Sequence, residues 1–208
     1  MSEDSLSVVE VDSSDYGLVK KVVELVEKTM GMWQAHYAST CFNQKICRSL
    51  AIASEKLLGV VLFYTAQLEL DRSLGVIYYV VVREEYRGRG FGKVLVSSAE
   101  YLLEDAGVDL VVATARSENT PSRNLFNSLG YSEISLHAIE EIYGELLTKL
   151  TCGYEDDLVF FKNMRASLTE VLSVLSLESN LKKIEELWYT LCYRPWREMR
   201  SSRHMQQI

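Results

Sequence analysis

The residues whose types and spacing could do chemistry stand in "YRGRGFGK", residues 86–93, at the end of a strand-forming run and the start of a helical one. Gly88, Gly90 and Gly92 alternate there with Arg87, Arg89 and Phe91, and Lys93 follows. A helix N-terminus leaves its first amides without partners and carries partial positive charge, so such a turn suits a phosphate or pyrophosphate. Glycine lets a ligand approach the backbone, and the flanking basic side chains add charge of the right sign. A tight strand-to-helix turn with no ligand is the plainer alternative.

Spacing narrows the anion. A P-loop needs GxxxxGK[ST], but Arg87 stands where its first glycine belongs and Val94 follows Lys93. A dinucleotide fingerprint needs GxGxxG directly after the strand. Here Lys93 replaces the third glycine and "REEYR" intervenes.

The elements that must position this turn follow from periodicity. Ser13, Ser14 and Asp15 offer caps to a first helix with Leu18, Val22, Leu25 and Val26 at helical spacing, ending near Gly31. "MWQAHYAST" reads as a shorter helical piece. "CRSLAIASE", "KLLGVVLFYTAQLEL" and "GVIYYVVV" read as three strands in a meander. After the turn, Phe91, Leu95, Ala99, Leu102 and Ala106 share a helix face, and Gly107 is placed to stop the helix in a left-handed conformation. "DLVVATA" is a buried strand. Thr120 as N-cap, Pro121 at the first helical position and Gly130 past the end frame a short helix with Leu125, Phe126 and Leu129 inward. "YSEISL" and "DLVFFKNM" close the sheet, with "HAIEEIYGELLTKLTCGYE" between them long enough for an inserted helix. Leu168, Val171, Leu172 and Leu175, then Ile184, Leu187, Trp188 and Leu191, predict a helical hairpin broken at "SLESN". The whole is an α/β arrangement with a mixed central sheet flanked by helices.

Composition bounds the rest. A chain of 208 residues, 48% hydrophobic, builds one full core with room for an appendage. No apolar run approaches the roughly 18 to 20 residues a spanning helix requires, and "MSEDSLSVVE" lacks the regions of a signal peptide, so a soluble cytoplasmic protein without membrane attachment is expected. Cys41, Cys47, Cys152 and Cys192 form no CxxC pair, which argues against a metal cage and leaves buried reduced thiols as the reading. The net charge of −7 argues against general nucleic-acid binding, and Arg194, Arg197, Arg200 and Arg203 read as a solvated helix face.

The chain resembles the GNAT superfamily, the acetyltransferases related to the general-control and ribosomal-protein N-acetyltransferases. Residues 87–92 match its R-x-x-G-x-G signature within "VVVREEYRGRGFGKVLV", and "NTPSRNLFNSLGY" is similar to its second motif, with Asn119 and Gly130-Tyr131 in place. The resemblance runs over residues 5–164 and is strongest over 76–132. It implies a GNAT-like acyl-CoA N-acyltransferase fold in residues 1–164, with 165–208 as a C-terminal helical extension outside the family core. That extension could cover the domain, form a homodimer or close over the acceptor.

The function implied is transfer of an acetyl group from acetyl-CoA to a primary amine, of a small molecule or a protein, by direct transfer in a ternary complex and without a metal. Backbone amides around Arg87, Gly88, Arg89, Gly90, Phe91, Gly92 and Lys93 would hold the pyrophosphate. Val80, Val81 and Val82 would pair with the pantetheine arm as an added strand does, and Asn119 would touch the arm from the other side. Two departures bear on catalysis. Phe126 stands at the position of the family's acidic tyrosine, and Thr114 at that of the ribosomal-protein branch's basic glutamate, so no catalytic residue carries over. Tyr78, Tyr79, Tyr131 and Glu133 are possible substitutes, and water could protonate the leaving thiolate. Trp33, His36 and Tyr37, with the insert, would select the acceptor. The alternatives are a CoA-binding regulatory or interaction module of the same fold with little activity, and a covalent route through an acyl-cysteine.

Overall fold

The computed structural model describes residues 6–205, with side chains as far as Ser201. A first strand, β1 (Ser7–Glu10), precedes the helix expected at the start. All four of its residues are exposed, so the alternation that betrays a half-buried strand is missing. Helix α1 (Tyr16–Met30) is capped by Asp15, whose side chain accepts from the Leu18 amide, and Gly31 separates it from α2 (Met32–Asn43). Strands β2 (Arg48–Ala53), β3 (Leu57–Gln67) and β4 (Ser73–Val82) form the expected antiparallel meander.

Helix α3 (Phe91–Asp105) follows the glycine turn and ends where Gly107 takes a φ of 74°. Its buried face carries Leu95, Val96, Ala99 and Leu103, while Ala106 is exposed, so the inward stripe lies slightly to one side of the expected one. Strand β5 (Leu110–Ala115), helix α4 (Thr120–Ser128) and strand β6 (Ser132–Ser135) come next. The expected inserted helix is two, α5 (Leu136–Tyr143) and α6 (Leu146–Thr151), because Gly144 at φ 63° breaks the run. Strand β7 (Leu158–Asn163) completes a seven-stranded sheet of order β1-β2-β3-β4-β5-β7-β6, with β4–β5 its parallel pair.

The last segment forms α7 (Leu168–Leu175), α8 (Glu178–Trp188), a π-helical stretch Tyr189–Tyr193, and α9 (Arg194–Met205). Ser167 and Glu170 make a reciprocal capping box at its entry. Val171, Leu172, Leu175, Ile184 and Leu191 share one core with Tyr64, Val76 and Val112 of the sheet. Two buried polar groups fasten the segment. Asn180 accepts from the Glu69 amide at 2.9 Å and donates to the Val174 carbonyl at 2.7 Å. Asp109 accepts from the Ser73 amide at 2.8 Å, faces Arg72 and Arg165 at 3.6 and 3.4 Å, and its carbonyl accepts from the amides of Met164, Arg165 and Ala166. In the basic cluster, Arg194 pairs with Glu198, Arg197 lies over Tyr193 and Arg200 over Trp196; the side chain of Arg203 lies outside the described residues.

The cysteines correct the expectation of reduced thiols: Cys41 is bonded to Cys47 and Cys152 to Cys192. The first pair closes the connection from α2 to β2. The second joins the end of α6 to the π-helical stretch, a contact that only the folded chain creates. Such bonds persist in oxidising surroundings and are opened by cytosolic thiol pools, so location becomes a question of thiol state. Among the described residues no helix is long and apolar enough to cross a membrane.

Candidate active site

After β4 the chain makes a single 3₁₀ turn, Glu84–Tyr86, passes Arg87 in extended conformation, and enters α3 through Gly88 and Gly90. Gly88 and Gly90 take φ of 73° and 84°, left-handed values that a side chain would strain. Nothing lies within 4 Å of where a Cβ would stand on either, so the turn opens outward. Gly90 caps α3 without a side-chain hydrogen bond, and the amides of Phe91, Gly92 and Lys93 have no acceptor inside the helix. Arg87 donates to the Val82 carbonyl and Arg89 to the Glu85 carbonyl, both at 3.2 Å, so these side chains also shape the turn. Phe91 packs toward Tyr86, and Lys93 is exposed.

The strand leading to this turn is half free. β4 pairs with β5 only from Leu74–Val76 against Leu110–Val112. Beyond that point β4 stays bonded to β3 alone, with a bulge where the register skips Tyr78. Ile77–Val80 on one side and Ala113–Arg116 on the other then line a cleft of about 1370 Å³. Val80 and Asn119 face this cleft, whereas Val81 is buried in the core beneath α1 and α2 and Val82 is half-buried toward α3. Asn119, not Thr120, is the N-cap of α4: its Oδ1 accepts from the Ser122 amide at 3.2 Å. Pro121 therefore sits at the second helical position, and the Asn119 side chain is committed to the cap.

Around the fork the walls are aromatic and acidic. Trp33, Tyr37, Tyr79, Tyr154, Trp188, Tyr193 and Trp196 contribute rings; Glu118, Glu145, Glu155 and Asp156 contribute carboxylates. Asp156 reaches the fork from the loop before β7, and Thr114 donates to its carboxylate. A Cβ on Gly153 would stand 2.8 Å from Thr114 Oγ1 and 3.2 Å from Asp156 Oδ2, so only glycine permits this approach. Burial pushes the Asp156 carboxyl upward, with the Thr114 hydrogen bond and Arg116 opposing that rise. Burial likewise raises Tyr37, Tyr78 and Tyr79, and it pushes Tyr154 up to about 12.

The possible catalytic substitutes divide. Tyr78 and Tyr79, stacked at 4.3 Å, line the cleft. Tyr131 is buried behind the sheet with the Lys162 ammonium over its ring, and Glu133 is paired with Arg123 at 2.6 Å; neither lines the cleft. Phe126 is a core ring, stacked on Phe160 at 5.0 Å with its edge to the cleft. Trp33 and Tyr37 line the cleft, while His36 turns to Glu198 at 3.4 Å. Asp156 is the residue that sequence reasoning missed. It lies in "EDD", where Asp157 spends itself on Ser117 and Glu155 on Arg116, and no local pattern tells the three apart.

The Acetyltransferase (GNAT) family profile matches residues 18–131, more than half of the chain. An uncharacterized N-acetyltransferase of Chlorobaculum tepidum is 36% identical over 74 residues, 36% of this chain and 41% of that protein. A mycothiol acetyltransferase of Tsukamurella paurometabola is 32% identical over 85 residues, 41% of this chain and 28% of that one. The matches thus span less than half the length of these curated relatives. Among solved structures, Arabidopsis thaliana NAA60 in complex with a bisubstrate analogue superposes with a TM-score of 0.59 at 15% identity, covering 78% of this chain and 100% of that chain. An aminoglycoside acetyltransferase from an uncultured soil metagenomic sample gives 0.55 at 21% identity, over 64% and 95%.

Proposed function

The chain belongs to the GNAT acetyltransferase family, and on that premise we propose that it is an acetyl-CoA-dependent N-acetyltransferase acting on a primary amine by direct transfer in a ternary complex. The observation that carries this reading is the fork: an open strand edge running from the amide-rich α3 entry into an acid-lined cleft. The residues fit the cosubstrate. First-turn amides without helical partners, open space at Gly88 and Gly90, and the unpaired edge of β4 past Val76 match a pyrophosphate followed by an amide-bearing arm. Bound there, acetyl-CoA would supply the activated acyl group as a thioester.

The chain's own residues supply the rest. Asp156 accepts the proton of the acceptor's ammonium form, freeing its lone pair; a raised carboxyl is a better base for this than an ordinary one. Thr114 holds that carboxylate in place, and Arg116 moderates its charge. Backbone N–H groups on the free edge of β4 offer donors where negative charge develops on the carbonyl oxygen. Residues 1–164 would thus carry the cosubstrate, and 165–208 would wall the acceptor side with Trp188, Tyr193 and Trp196.

Mass spectrometry of the purified chain with acetyl-CoA and a panel of peptides, polyamines and amino acids tests the proposal. An acetyl mass gain on an amine is expected, and no transfer across the panel would sink it. The hydroxyl-free Phe126 favours one second reading, a CoA-binding module without efficient chemistry. Tight CoA binding with turnover no faster than the uncatalysed reaction would select that reading.

A further inference from the structure

We infer that the acceptor carries a second cationic group beside its reacting amine, as diamines and polyamine-like cations do. This rests on the transferase reading. Four carboxylates line the cleft against two basic side chains, Arg116 and Lys149. Both bases are engaged: Arg116 with Glu118 and Glu155, Lys149 with Glu185 and over the Trp188 ring at 5.2 Å. Asp156 and Glu145 make no ion pair among the described residues.

These two carboxylates belong to separate ends of the cleft. Asp156 interacts with Thr114 and Tyr79 at the fork. Glu145 caps α6 and acts on Tyr154, whose hydroxyl accepts from the Trp188 indole at the other wall. If Asp156 attends the reacting nitrogen, Glu145 is left for a charge that does not react. Between them the rings of Trp33, Tyr37 and Tyr193 offer apolar faces for an alkyl spacer and π-faces for cations. One polar group on this surface also waits for a partner: the Tyr78 hydroxyl, shielded from solvent, closes no hydrogen bond of ordinary geometry. A monoamine would fill the cleft and leave Glu145 without a counter-charge.

The test compares spermidine and diaminopentane with pentylamine and a short neutral peptide, in the parent and in Glu145→Gln, at saturating acetyl-CoA. A charge-assisted contact at Glu145 predicts a preference of about 10- to 100-fold in kcat/KM for the dications, narrowing to within about threefold in Glu145→Gln. Equal use of pentylamine or the peptide by the parent, or full preference retained in Glu145→Gln, overturns the inference. Calorimetric titration of the same amines into the CoA-bound protein separates it from the reading beneath it. If no amine is turned over, the transferase reading falls, and the binding preference decides: about tenfold or more for dications sustains this inference, and equal binding overturns it.

Discussion

Gly92→Asp separates the stability of the glycine turn from its anion binding. Gly92 is the second residue of α3, and a Cβ there meets only Leu125 at 3.5 Å, an ordinary contact. A carboxylate in a first helical turn interacts favourably with the helix dipole by about 0.3–1 kcal/mol, so the free protein should melt at the parent temperature or slightly above it. Bound pyrophosphate changes the sign. At about 6 Å and an effective dielectric near 20, like unit charges repel by about 2.8 kcal/mol, lowered at this exposed turn by salt. The new carboxylate also competes for the amides of the first turn. Together these should weaken CoA binding by about 30- to 150-fold, or about 2–3 kcal/mol. Gly90→Ala is the complement: at φ 84° it costs about 1–2 kcal/mol of folding stability whatever the ligand. Lys93→Ala, removing one exposed charge among several, should cost only a few-fold in affinity. Thermal unfolding followed by calorimetric titration with CoA reads each quantity separately. A folded Gly92→Asp protein that binds CoA within about twofold of the parent would refute the placement of the phosphates.

Asp156→Asn should lower kcat by about 100-fold or more and flatten the acidic limb of the pH–rate profile, which in the parent rises as the carboxyl ionises; an unchanged profile would remove Asp156 from the chemistry. The same variant should be more stable at pH 7. The folded pKa of Asp156 stands above its ordinary value of 3.8, so its contribution is complete below that value and lost as pH rises through the folded one, and the gain in Tm should shrink toward pH 4. Opening the Cys152–Cys192 bond by a paired serine substitution releases a 40-residue loop, a loss of about 4 kcal/mol on the chain-entropy estimate. It should raise the acceptor KM while CoA affinity holds; equal acceptor kinetics would show the wall to be fixed without it. Asp109→Ala strands Arg72 and Arg165 and the Ser73 amide, and should cost about 3–5 kcal/mol by denaturant unfolding. A loss under about 1 kcal/mol would mean that Asp109 does not fasten the C-terminal segment.

Where local chemistry dictates local structure, the sequence was legible. Gly90 and Gly107 stand where the backbone needs positive φ, and Asp15 where α1 needs a cap, so the turn and both helix boundaries could be placed from residue types alone. Thr120 shows the grain of such reading: Asn119 and Thr120 are both competent caps, and which one closes on Ser122 depends on how β5 delivers the chain. Strand β1 gave no signal because it is an exposed edge. Asp156 and the Cys152–Cys192 bond were invisible for another reason. Each is defined by a partner that only tertiary folding brings near, Thr114 from β5 and the π-helical stretch 40 residues on. The cosubstrate turn is a backbone device and announces itself in glycines; the acceptor cleft is assembled from side chains of α2, β4, β5, α6 and the C-terminal segment, with no common spacing.

The same disulfide bears on the choice between direct and covalent transfer. An acyl-cysteine route needs a thiolate at the fork, and Cys152 and Cys192 are the cysteines that line the cleft. Bonded to each other, neither presents a nucleophile, and Cys41 and Cys47 are likewise joined and fully or nearly buried away from it. With all four sulfurs spent, the remaining route is attack by the acceptor nitrogen itself, for which the requirement is a base beside it and not a nucleophile on the chain. Asp156 meets that requirement from a loop whose position Gly153 makes possible, one residue past Cys152. Closing the wall and placing the base are therefore linked through adjacent residues, so that forming the bond both masks the thiols and holds the carboxylate that direct transfer requires.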